Sequence, residues 1–124
     1  MSWIKLTYHQ KMVVRMAFSG WASMIKIGEG PRSESLRVRY EAGPQGLALV
    51  AHDATGKVPM PLEAFLLAKI FLNKQNELIG RELASENIDE MPDYAQVRRD
   101  LKLEIIRNNK MIEATNELME MIGG

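Results

Sequence analysis

The chain has 124 residues, 46% of them apolar and 26% charged, the make-up of a folded domain and not of a disordered or fibrous chain. Sixteen Lys and Arg balance sixteen Asp and Glu, which argues against a general polyanion binder, because such proteins carry a basic excess. With no cysteine, disulfides, thiolate metal sites and a cysteine nucleophile are excluded.

The first residues lack a basic stretch followed by an apolar core and a small-residue cleavage site. No run approaches the roughly 18 uninterrupted apolar residues of a membrane span, and the most apolar segment, Leu62 to Leu72, already holds Glu63 and Lys69. The expectation is one domain over 1–124, cytoplasmic and away from membranes. Charge is uneven: residues 1 to 28 carry Lys5, Lys11, Arg15 and Lys26 with no acid, and residues 62 to 91 carry an acidic excess.

From His9 to Ile27 the apolar residues recur at helical spacing. Val13, Val14, Ala17, Phe18, Trp21, Met24 and Ile25 share one arc, with Lys11, Arg15, Ser19, Ser23 and Lys26 opposite. This predicts an amphipathic N-terminal helix ending near Gly28. Ahead of it, Trp3 to Tyr8 fits a short strand as well as a helix.

At Glu34 the period changes from 3.6 to two. Leu36, Val38 and Tyr40 alternate with Arg37, Arg39 and Glu41, the pattern of a half-buried antiparallel strand. Ala42 to Gly46 reads as a turn and Leu47 to Ala51 as the returning strand of a β-hairpin; Asp53 to Gly56 is a second turn.

Pro61 suits the first turn of the next helix. Leu62 to Leu72 is apolar almost all round, which predicts a buried central helix. Past Asn73 it narrows to a stripe of Leu72, Ile79 and Leu83.

Pro92, with Asp93 and Gln96 at capping-box spacing, opens a long helix over 93–122. Tyr94, Val97, Leu101, Ile105, Ile112, Met119 and Ile122 form one stripe on it, with Asn108 and Thr115 inside. Such a helix is about 44 Å long, whereas a compact chain of this size is about 35 Å across. It is therefore expected to project and to cover its stripe with a second copy. The predicted dimer interface is Leu101, Ile105, Asn108, Ile112 and Met119, with Asn108 fixing the register. The competing arrangement breaks the helix near Asn108 and Asn109 and folds it back on the domain. The fold class expected is α+β, mostly α.

Candidate chemistry is sparse. His9 and His52 are the two histidines, neither at metal-ligand spacing, and His52-Asp53 reads as a turn. Gly28 to Ser33 follows a helix and contains Pro31, so it lacks the context and the free N–H groups of a phosphate loop. Thr55-Gly56-Lys57 lacks the rest of a Walker motif. The carboxylate pairs Glu82/Glu86, Asp89/Glu90 and Glu117/Glu120 have no apolar wall to separate their pKa values. No catalytic residue, cofactor or metal is expected, and the chain is read as a non-enzyme.

Arg37 and Arg39 project from one hairpin face with Lys57 nearby; Arg98, Arg99 and Lys102 interleave with Asp100 and Glu104 as a salt-bridged helix surface. Nine methionines, with Met111, Met119 and Met121 near the C-terminus, suit adaptable contacts. The reading that follows is a small non-catalytic regulator, adaptor or inhibitor, a homodimer that binds another protein through Arg37, Arg39 and Met121. The alternative is a dimeric nucleic-acid-binding regulator with the arginines of the β-ribbon in a groove.

Overall fold

The computed structural model describes residues 2–24, 36–44, 46–54, 56–85 and 92–123. Within them the chain runs α1 (Tyr8–Met24), β1 (Arg37–Gly43), β2 (Gly46–Asp53), β3 (Gly56–Pro59), α2 (Leu62–Ala84) and α3 (Tyr94–Gly123). The class is α+β, mostly α, as expected.

A capping box that the periodicity does not reveal starts α1. Thr7 Oγ1 accepts from the Gln10 backbone N–H at 3.2 Å, and Gln10 Oε1 accepts from the Thr7 N–H at 3.0 Å. Residues 2–7 before it are neither helix nor strand, and Ile4 N–H donates to the Val38 carbonyl of β1 at 2.8 Å. The expected stretch from Ile25 to Ile27 and the Gly28 to Ser33 segment lie outside the described residues.

The sheet is a three-stranded antiparallel meander, β1-β2-β3. Arg37 pairs with His52 and Val38 with Ala51 across the first ladder, and His52 pairs with Lys57 across the second. The third strand was not foreseen; four residues that end in Pro59 carry too little alternation to register. Both reversals use glycine in the left-handed region, Gly46 at φ 107° and Gly56 at φ 155°, and Asp53 Oδ1 accepts from the Gly56 N–H at 3.1 Å. Val38, Leu49, Ala51 and Val58 face inward. They meet Val14 and Phe18 of α1, Phe65 and Leu72 of α2, and Met111 and Leu118 of α3 in one core.

The central helix departs from expectation. It is buried along one face only, through Ala64, Phe65, Ala68, Leu72 and Ile79, while Leu62, Leu66, Leu67, Ile70, Phe71 and Leu78 are exposed. Periodicity cannot separate these sides, because both are apolar; the number of neighbours decides, and α2 packs on α1 and α3 alone among the helices.

The long helix is unbroken, 30 residues over Tyr94–Gly123, or about 45 Å. It runs antiparallel to α2: Asn108 Nδ2 donates to Asn76 Oδ1 at 3.0 Å, Asn76 Nδ2 donates to Asn109 Oδ1 at 2.9 Å, and Arg98 Nη1 donates to the Leu83 carbonyl at 3.3 Å. The break near Asn108 and Asn109 of the competing arrangement is absent, and the chain's own α2 lies along the helix from which a dimer interface was expected. Asn108 is buried against Asn76 of its own chain and sets the register of α3 on α2. Ile112 and Met119 pack against the core, and Leu101 and Ile105 are half-buried.

Urea denaturation separates the two faces of α2. Phe65→Ala is expected to cost about 3–5 kcal/mol, whereas Phe71→Ala at submicromolar chain concentration costs under about 1 kcal/mol. Asn108→Ala takes the donor away from Asn76 Oδ1 and costs about 1–3 kcal/mol.

Candidate functional site

Two surfaces among the described residues are candidate sites. The first is the outer face of the sheet. Alternation along β1 puts Arg37, Arg39 and Glu41 on the face away from the core, and the register brings His52 and Lys57 alongside. Trp3, outside the sheet, lies on this face: the Arg37 and Arg39 guanidinium carbons sit 4.7 and 4.8 Å from its ring centroid, and the His52 ring meets it edge-on at 5.1 Å. Trp3 keeps 39% of its surface exposed.

Glu41 organises this group. Its carboxylate takes the Lys57 ammonium at 2.9 Å, the Arg39 Nε–H at 3.3 Å and the His52 Nε2–H. A carboxylate only accepts, so this contact places the proton of a neutral His52 on Nε2. Lys57 first, then His52 and, more weakly, Arg39 hold the Glu41 carboxyl at about 2, well below the usual carboxylate range, against the upward push of partial burial. The expected partner residues Arg37 and Arg39 thus do share one face, but Arg39 is engaged by Glu41 and both flank Trp3. Met121, the third expected partner residue, packs against the core, and its carbonyl accepts from the Tyr40 hydroxyl at 3.1 Å.

The second surface is the uncovered side of α2. Leu66 and Ile70 stand one turn apart, as do Leu67 and Phe71; Ile70 is 63% and Phe71 52% exposed. On one flank Leu67 and Phe71, with Ala64 and Ala68, form a groove of about 500 Å³ with Met16, Gly20, Trp21 and Met24 of α1. Apart from Ser19 its described lining is apolar or glycine, which suits it to holding apolar side chains. The sequence signal for this surface is the all-round apolarity of Leu62 to Leu72, a pattern that a buried helix shares.

His9 lies on the first turn of α1, edge-on to Tyr8 at 5.3 Å, whereas His52 lies on β2. Among the described residues no three His, Asp or Glu side chains gather to hold a metal ion, and no helix is long and apolar enough to cross a membrane.

The lowered Glu41 value has a defined pH consequence. Its stabilising contribution is whole above the ordinary value of 4.5 and is lost as pH falls from there toward 2. Thermal melts of Glu41→Gln should therefore lie below wild type at about pH 7, with the gap closing across that acid window; a gap independent of pH would remove Glu41 as the organiser of the face.

Comparison of the chain with protein-family models, with curated proteins and with solved structures finds no match, so the functional reading rests on these two surfaces.

Proposed function

We propose that this chain is a non-catalytic protein-binding module, a regulator, adaptor or inhibitor in type, that associates through the uncovered apolar side of α2 and the groove beside it. The observation that carries this reading is the row Leu66, Leu67, Ile70 and Phe71, all exposed on one helix. Isolated exposed leucines are ordinary, but contiguous apolar patches of more than a few hundred Å² on a folded chain mark interaction sites. Met16, Trp21 and Met24 on the flank supply the adaptable and aromatic side chains that such interfaces favour.

A nucleic-acid reading has its own observation, the exposed Trp3 between Arg37 and Arg39, which combines a stacking face with cations. It is the weaker of the two because Glu41 neutralises part of that charge at its centre and the whole chain is neutral.

Affinity capture from host lysate, with and without nuclease, tests both. The protein-binding reading predicts a protein retained after nuclease and lost with Ile70→Asp, a fully folded variant by circular dichroism because Ile70 is exposed. Retention of nucleic acid that disappears with Arg37→Ala/Arg39→Ala and is indifferent to Ile70→Asp would reverse the order.

A further inference from the structure

The α2 surface has a symmetry that names its occupant. Glu63 and Lys74 lie eleven residues apart on α2, both exposed and both on the side that carries Leu67 and Ile70. Eleven residues are close to three full turns, so the two charges sit on one line about 16 Å apart. The apolar residues lie between them, Leu66 and Leu67 toward Glu63, Ile70 and Phe71 toward Lys74. The midpoint of the charges, between Ala68 and Lys69, is also the midpoint of the apolar group. A surface with this order is complementary to its own reverse.

We propose that the α2 face binds a second copy of this chain, the two α2 helices packing antiparallel about a two-fold axis at that midpoint. This rests on the reading of α2 as an association surface and names its partner. The axis brings Leu66 and Leu67 of each copy against Ile70 and Phe71 of the other. It also sets Glu63 of each copy opposite Lys74 of the other, so every contact occurs twice, as an isologous interface requires. Lys74 lies 3.8 Å from Glu77 within its own helix, a long, exposed pair that is exchanged at little cost. A parallel pair of α2 helices would instead place Glu63 against Glu63 and Lys74 against Lys74, which selects the antiparallel arrangement. A foreign partner would need none of this reciprocity.

Sedimentation equilibrium and light scattering on the full chain at low salt test it. Wild type is expected at twice the 14.1 kDa chain mass, and Ile70→Asp at the single mass with an unchanged circular dichroism spectrum. Glu63→Lys and Lys74→Glu, each alone, convert two attractions into two repulsions and raise the dissociation constant roughly tenfold. The double variant E63K/K74E restores the wild-type constant, and so does an equimolar mixture of the two single variants, since each then faces its opposite. A wild-type chain that stays monomeric at every concentration, or a charge exchange that restores nothing, overturns the second copy as occupant. If Ile70→Asp still abolishes host-protein capture in that case, the α2 face stands as a site for a foreign protein. If it alters neither self-association nor capture, the association reading of α2 falls as well.

Discussion

The pairing of α2 with α3 is the constraint on which the rest of the structure turns. A helix can bury a limited arc against one neighbour, and the Asn76, Asn108 and Asn109 amides fix which arc that is. A buried amide is tolerated only with its partner in place, so a slip of α3 along α2 by one turn would strand Asn108. With the register set, α3 spends its own stripe on α2, and α1 closes over the proximal part of both helices. Among the described residues, the remaining side of α2 keeps its leucine, isoleucine and phenylalanine side chains exposed. The exposed row of leucine, isoleucine and phenylalanine is thus a consequence of the core and not an accident beside it.

Much of this was legible in order and type: the amphipathic first helix, the first two strands, the start of α2 at Pro61 and the whole of α3 were readable from period and punctuation. The faces were less so. For α1 the apolar arc was also the buried one through Val13, Val14, Ala17 and Phe18, whereas Met24 on the same arc is 61% exposed. For α2, residues that are apolar on every side contain no information about which side is covered. For α3 the length was legible, since the helix runs unbroken for 30 residues. But α2 is itself 23 residues long and accompanies it, so the buried face of α3 is Asn108, Met111, Ala114, Thr115 and Leu118, while the apolar stripe beside it is half-buried and Tyr94 is exposed. The Trp3 cluster was illegible for a different reason. It joins an irregular N-terminal segment to three strands, and no local period reports such a meeting.

The outer sheet face shows how a set of cations becomes structure. Arg37 and Arg39 on β1 and Lys57 on β3, with β2 between them, put three cations on one sheet face, where like charges repel. Glu41 sits among them and accepts from Lys57, His52 and Arg39 at once, while the Trp3 ring gives both guanidinium groups a second, uncharged contact. These interactions also tie residues 2–7 to β1, reinforcing the single Ile4 to Val38 backbone bond. The arginines that in sequence looked like free recognition groups are in large part fasteners for the N-terminal segment.

The placement of the α2 surface along the helix bears on how it can work. Beyond Leu72 the only buried apolar residue of α2 is Ile79, and none of residues 94–107 of α3 is buried. This distal half of the helical pair is a two-helix arm with a thin seam, the kind of element that opens at low free energy. The stretch from Glu63 to Lys74 belongs to the other half, where Ala64, Phe65, Ala68 and Leu72 sit in the core with α1, the sheet and the end of α3. Its exposed side chains are therefore presented by a helix held rigidly from behind, and association there does not first have to order the surface. A binding face on the distal arm would carry that cost. The exposed apolar row of α2 thus stands on a segment supported from behind by the core, which is the arrangement that favours a specific, saturable contact over loose hydrophobic clustering.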